Sequence, residues 1–409
     1  MDTSLRLILD SPAWEILQAW EKRPERRTLD SLSLSTALRS QGVTPHVASA
    51  ILQQLDLREA AERKFGSLAR HMVFTREGLE QASRLSVATT HAQRFHRAGV
   101  TYLADLGCGI GTESLTAAGL GIRTFSLDID EDSAAAAAAN LRDFPESEVL
   151  CGDVLQLEMS DLIARGVNAI FADPARRSGL HKGNTRIQDP EHWAPPLSTV
   201  LSWTQYIPAL GVKVAPGIAY EVLPADFHVQ WTSVDGQLVE AALWSPPLAI
   251  EGPGRSAQII REQTIHIVTD PHAHTPCDPI TPAPVGPLSR FIMEPDDAII
   301  RSGTISAIAD QYNLHLIDSR IAYLTGDTYT PSPFYSAFEV HDVTALRPKQ
   351  ISAALRHLDA GYVEIKKRGA DISPEVLRRQ LKLTGSTPAV VIATRIQGQH
   401  RAIIGRRVC

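Results

Sequence analysis

Cysteine is scarce: the 409-residue chain has four, Cys108, Cys151, Cys277 and Cys409, far apart from one another. There is no CxxC pair and no Cys/His cluster, which argues against a zinc site or a disulfide framework. The fourteen histidines show no ligand spacing, and His272 and His274 sit in a Pro-rich stretch, so no metal is expected. Apolar runs of about 18 residues without charge are missing, which argues against a membrane span. The opening MDTSLRLILDSPAWEIL lacks the cationic start and long apolar stretch of a signal peptide. A chain of a reducing, cytoplasmic compartment is therefore expected. Hydrophobic residues at 44% and charged residues at 21% exclude wholesale disorder. The length suggests two to three domains.

Basic residues are also few overall: 40 Lys/Arg against 46 Asp/Glu, net −6, no sign of a nucleic-acid binder. The distribution is uneven. Residues 1–100 balance at +3 and residues 101–340 at −17, whereas residues 341–409 hold 13 Lys/Arg against 5 Asp/Glu, a balance of +8. An acidic body with a basic C-terminal module is one electrostatic footprint for an anionic polymer. Small terminal modules are also charged for solubility, so charge alone leaves both readings open.

Periodicity divides the chain. Up to residue 100 it reads as helical: SPAWEILQAW, then Thr44-Pro45 opening a helix that ends near Gly66, then a capped helix from Thr75 through REGLEQASRLSVATTHAQRF. From Thr101 strands alternate with helices: TYLADLG, RTFSLDID, SEVLCGDV, VNAIFADPARR and GVKVAPGI each end at polar or turn residues. That alternation predicts βαβ units and a mainly parallel sheet. HVQWTSVDGQLVEAALW predicts a hairpin turning at Asp235-Gly236. Residues 269–287 are too Pro-rich for regular structure, and two small α+β modules follow, the second with a helix capped by Ser373-Pro374. The expected domains are a helical region (1–70), a parallel α/β core (71–250), a small α+β module (251–338) and a terminal α+β module (339–409).

The chemistry gathers at one predicted sheet edge. Asp105-Leu-Gly107-Cys-Gly109-Ile-Gly111-Thr112 lies where the first strand meets a helix. Glycines there let a ligand approach the backbone closely. A dinucleotide fingerprint would need glycine at position 112, and Thr112 disfavours a nicotinamide oxidoreductase. Three more acids end predicted strands. Asp128 is placed to accept from two ribose hydroxyls, Asp153 from an adenine amino group, and Asp173 in DPARR faces the reacting group. Any one of them could be turn or cap chemistry. Four in register with a glycine loop point to binding of a methyl donor.

With these anchors, and with FTREGLEQAS, VKVAPG, EPDDAIIRSG, IAYLTGD, GYVEIKKRG and SPEVLRRQLKL, the chain resembles class I S-adenosylmethionine-dependent methyltransferases that carry a C-terminal THUMP-like domain. The resemblance covers most of the chain and implies a helical N-terminal region (1–70), a Rossmann-like catalytic domain (71–250), a small ferredoxin-like module (251–338) and a THUMP-like terminus (339–409). It implies S-adenosylmethionine as cofactor, with Asp105, Gly107, Gly109 and Gly111 in the loop at its methionine end, Asp128 at the ribose and Asp153 at the adenine. THUMP domains bind RNA, so the resemblance also implies a structured tRNA or rRNA as partner.

Asp173-Pro174-Ala175-Arg176 bears on the reaction. Enzymes that methylate exocyclic amines use (Asp/Asn)-Pro-Pro-aromatic, and here Ala175 and Arg176 replace the last two residues. DPAR resembles the motif of uridine-C5 RNA methyltransferases, which need a cysteine after the next strand. Ala215-Pro216 stands there instead. Direct transfer to a base nitrogen or other heteroatom is the expectation, with Asp173, Pro174 and Arg176 at the reacting centre. Arg176, Arg177, Lys182 and Arg186 could grip phosphates, as could Lys366, Lys367 and Arg368 in the terminal module. Glu80 and Gln81 read as a solvated helix face. Two alternatives stay open: a donor-binding RNA protein without transfer activity, and methylation of a small molecule or protein.

Overall fold

The computed structural model describes residues 2–9, 12–175 and 189–408, and the chain divides into two compact units, residues 1–214 with 243–250 and residues 215–242 with 251–409. The first unit opens with helices α1 (Thr3–Leu9), α2 (Ala13–Glu21), α3 (Ser31–Ser40), α4 (Pro45–Phe65), α5 (Arg76–Gln81) and α6 (Leu85–Arg97). Their starts follow local chemistry. Asp30 caps α3 by accepting from Ser33 N, Pro45 occupies the first turn of α4, and Thr75 caps α5 by accepting from Gly78 N.

The single helix expected after Thr75 is two. Ala82 and Arg84 adopt extended backbone between α5 and α6. The cause is tertiary: the ammonium of Lys64, in the last turn of α4, donates to the carbonyls of Leu79, Glu80 and Ala82 at 2.7–2.8 Å. Those are the end-of-helix acceptors that a continuous helix would have used itself.

The α/β part then runs β1 (Tyr102–Leu106), α7 (Thr112–Gly119), β2 (Arg123–Asp128), α8 (Glu131–Asn140), β3 (Ser147–Cys151), α9 (Met159–Arg165), β4 (Ala169–Ala172), α10 (Leu197–Ser202) and β5 (Leu210–Val214). The strands pair in parallel in the order β3-β2-β1-β4-β5. Every residue of β1, β4 and β5 is buried, as expected of parallel strands covered on both faces. The parallel α/β core expected from the alternation is present, and it is Rossmann-like as the resemblance implies. One hydrophobic cluster joins the helical region to it: Leu57, Phe65 and Phe74 pack with Leu79, Ile110, Leu115, Ala136 and Leu141.

In the second unit, β6 (His228–Val234) turns at Asp235 and Gly236, both with positive φ, into β7 (Gln237–Trp244), the hairpin that Asp-Gly predicts. The last two residues of β7 belong to the first unit, where Ser245 N donates to Leu210 O at 2.9 Å. Strands β8 (Gly254–Arg261) and β9 (Thr264–Thr269) extend the order to β7-β6-β8-β9. No helix or strand interrupts residues 270–290. There follow β10 (Phe291–Pro295), α11 (Asp297–Ser302), α12 (Ile305–Tyr312), β11 (His315–Asp318), β12 (Ile321–Gly326), β13 (Tyr335–Ala345), α13 (Pro348–His357), β14 (Ala360–Lys367), α14 (Pro374–Gln380), β15 (Thr387–Ile396) and β16 (Gln399–Arg407).

These strands form one seven-stranded sheet, β11-β12-β10-β13-β16-β15-β14. It draws strands from both sides of residue 339, and β13 runs through that position. Alternate residues of β15 feed two cores: Ala389 and Val391 pack with Ile351, Leu355 and Leu377, whereas Val390 and Ile392 pack with Ile292, Tyr323 and Phe338. Ser373 caps α14 by accepting from Val376 N. Among the described residues no helix is long and apolar enough to cross a membrane, and no group of His, Cys, Asp and Glu could hold a metal ion.

Candidate active site at the carboxyl edge of the parallel sheet

Strand ends bring the glycine loop and the acids together within the first unit. The loop after β1 is tied to β2: Gly107 N and Cys108 N both donate to Leu127 O, and Gly109 N donates to Asp128 Oδ2 at 2.7 Å. The end of β4 joins them, with Asp173 N donating to Leu106 O.

The three glycines do different work. Gly107 has φ +86°, and a Cβ there would stand 3.0 Å from the backbone oxygen of Asp173. Gly109 has φ +55°, and a Cβ would meet nothing within 4 Å among the described residues. Gly111 has φ +81° and lies against Ala137 of α8, where a Cβ would come within 3.1 Å. Gly78 of α5 lies against Ile110 closely enough that no side chain would fit. The helical region therefore buttresses the loop.

The acids differ as well. Asp105 is 1% exposed, and its Oδ2 accepts from Ser114 N (3.1 Å) and Ser114 Oγ (2.6 Å) at the start of α7. Ser114 Oγ lies 2.7 Å from Ser126 Oγ of β2. Burial pushes the Asp105 carboxyl up to about 7, reinforced by the nearby Glu113 and Asp173 and opposed by the bonds from Ser114. Asp128, partly buried, accepts from Gly109 N and Asp130 N, and burial raises its carboxyl against those bonds. Asp153 is half-buried, and one of its oxygens caps a short turn by accepting from Leu155 N at 2.9 Å. Between these two acids along the chain, Ile129 is 71% exposed. Burial pushes the Cys108 thiol up, which suits a packing residue better than a nucleophile.

Asp173 follows β4 with its side chain 32% exposed, and its Oδ2 accepts from Lys213 Nζ of β5 at 2.8 Å. Lys213 and Ser83 are participants that the sequence pattern did not mark, and a lone lysine in an apolar strand carries no motif. Pro174 lies beside Asp173, and Arg176, Arg177, Lys182 and Arg186 lie outside the described residues. Glu80 and Gln81 are exposed.

The cations of the terminal module are dispersed. Lys366 pairs with Glu294 (2.6 Å) and Glu364 (3.1 Å), and Arg368 pairs with Asp297 (3.5 Å). Lys367 is exposed, its ammonium donating to Ile372 O.

These residues suit S-adenosylmethionine. Among the described residues nothing crowds Gly109, Asp128 and Asp153 lie at the ends of the neighbouring strands β2 and β3, and Ile129 next to Asp128 is exposed and apolar, a setting for ribose hydroxyls and a flat base.

Comparison with known proteins agrees. The family model described as THUMP domain-like matches residues 335–407. Uncharacterized S-adenosylmethionine-dependent methyltransferases of two Mycobacterium tuberculosis strains are 33% identical over 362 residues, spanning 86% of this chain and 94% of theirs. A solved structure from Porphyromonas gingivalis, described as a methyltransferase, has the same fold, with TM-score 0.72 and 16% identity over the whole of both chains. The 33% identity to the mycobacterial proteins over most of both chains places the protein in the S-adenosylmethionine-dependent methyltransferase family, with a THUMP-like domain at its C-terminus.

Proposed function

We propose that the enzyme methylates RNA by direct transfer to a base nitrogen or other heteroatom, with Asp173 orienting the acceptor. The observation that carries this reading is the half-exposed carboxylate of Asp173 on the same sheet edge as the glycine loop. Gly107, Gly109, Asp128 and Asp153 would hold the donor, with Asp105 bracing the loop from beneath. When bound, S-adenosylmethionine supplies an electrophilic methyl group on a sulfonium. A carboxylate beside that position can accept a hydrogen bond from an acceptor N–H or O–H and aim its lone pair. Covalent attack on a pyrimidine needs a thiolate after β5, where Ala215-Pro216 stands.

RNA as substrate is supported by the THUMP-like domain and by the +8 balance of residues 341–409. Lys366 and Arg368 are engaged by carboxylates, so the exposed Lys367, Arg378, Arg379 and Lys382 are the better candidates for phosphate contacts. Tyr362 is the only aromatic residue after Phe338, so recognition would rest on backbone and shape rather than base stacking.

Tritiated S-adenosylmethionine and total RNA from a strain lacking the protein test the proposal. Wild type should label the RNA and Asp173→Ala should lose at least about a hundredfold in rate. Labelling of protein or small molecules with none in RNA would overturn the RNA assignment. Equal rates for Asp173→Ala would overturn the role of Asp173.

Donor binding has its own test. Asp128→Ala should weaken S-adenosylhomocysteine binding by about 10–100-fold in calorimetry, the worth of charge-assisted hydrogen bonds. Unchanged affinity would remove Asp128 from the donor site.

A further inference from the structure

We propose that Lys213 is a positioning residue for Asp173: its ammonium holds Oδ2 so that Oδ1 is presented to the methyl acceptor. This rests on the reading of Asp173 as the group that orients the acceptor. Lys213 is 9% exposed and lies in the all-buried strand β5. Taking an ammonium out of water there is costly, and an apolar residue of similar size would pack without that cost. A lysine nevertheless stands there, its Nζ 2.8 Å from Asp173 Oδ2. Oδ1 accepts no hydrogen bond from the described residues, and the side chain keeps 32% of its surface. One carboxylate oxygen is anchored, and among the described residues nothing holds the other.

Three elements converge to make this anchor. Gly211 and Lys213 point to the same face of β5. At Gly211 that face is filled by Trp244, Phe171 and Phe95, so closely that a Cβ would not fit. One step toward the strand end, Lys213 Nζ donates to Ser83 Oγ at 3.2 Å. Ser83 lies in the break between α5 and α6, the break that Lys64 stabilises by taking the carbonyls of Leu79, Glu80 and Ala82. An unbroken helix would carry the Ser83 hydroxyl elsewhere. The α5–α6 break, β5 and β4 are thus fixed relative to one another through the Lys213 ammonium. Arginine could keep the charge but would present a wider, planar group.

The test compares Lys213→Met and Lys213→Arg with wild type. For Lys213→Met, kcat for RNA methylation should fall at least tenfold, while KM for RNA and the dissociation constant of S-adenosylhomocysteine change less than twofold. Lys213→Arg should recover part of kcat. In crystals of Lys213→Met the Asp173 carboxylate should leave its wild-type position. An unchanged kcat, or donor affinity that falls in step with kcat, would overturn the proposal in favour of a packing role. If wild-type protein labels no RNA, the functional reading above fails. The crystals still decide the anchoring, because an Asp173 carboxylate that stays in place without Lys213 overturns it.

Discussion

Gly107→Ala is expected to abolish productive binding of the donor. The residue has φ +86°, which costs a non-glycine residue about 1–3 kcal/mol. The added Cβ would also stand 3.0 Å from the backbone oxygen of Asp173. Relief requires the glycine loop to move away from the end of β4, and with it Gly109, whose N–H is bound to Asp128. Donor affinity should fall by on the order of a hundredfold, and turnover should fall further because Asp173 shifts in the same movement. Gly109→Ala provides the contrast. It is also left-handed, φ +55°, but has no neighbour within 4 Å among the described residues, so it should reduce affinity while leaving Asp173 in place. Calorimetry with S-adenosylhomocysteine, together with turnover at saturating donor, separates the two. Equal ratios of turnover to affinity loss in both variants would show that Gly107 does not couple the loop to Asp173.

Asp105→Asn is expected to stabilise the fold above neutral pH. The buried carboxyl is pushed up to about 7, so between pH 4 and pH 7 the folded protein holds a proton that the unfolded chain has released. Its contribution to stability is complete below about pH 4 and is lost as pH rises through about 7. Above that, folding must bury an ionised carboxylate beside Glu113. Asparagine keeps an oxygen for Ser114 N and Oγ and carries no charge. Its advantage over wild type should grow from near zero at pH 4 to about 2–4 kcal/mol at pH 8. Urea titrations at both pH values measure this. A difference between the proteins that does not change with pH would disprove it.

The parallel sheet, the glycine loop and the carboxylates at the strand ends were legible in the sequence because each depends on local pattern. Alternating apolar runs give the strands, and turn residues mark where they stop. The Asp235-Gly236 hairpin and the Ser373 cap were readable for the same reason. The break after Gln81 was not, because apolar spacing continues through LEQASRLSVA while the interrupting group, Lys64, comes from another helix. Lys213 was hidden as a single cation within an apolar strand, its meaning set by a partner 40 residues earlier. Lys366 and Arg368 read as a basic patch, although their acidic partners Glu294 and Asp297 lie some seventy residues away in sequence. Pairings at such separation, like the joining of β10 with β13 and of β13 with β16, are set by tertiary packing rather than by local propensity.

Asn140, at the end of α8, accepts from Val73 N and donates to Val73 O and to Ile110 O. One side chain thereby binds the backbone before α5 to the backbone of the glycine loop, with a core shared by both. The consequence is cooperative. Opening of the loop would expose Asn140, Phe74 and Ile110 together, so the helical region and the glycine loop are expected to open as a single foldon. Their amides should exchange with solvent at one common rate, and ligand bound at the loop would slow exchange as far away as the last turn of α4.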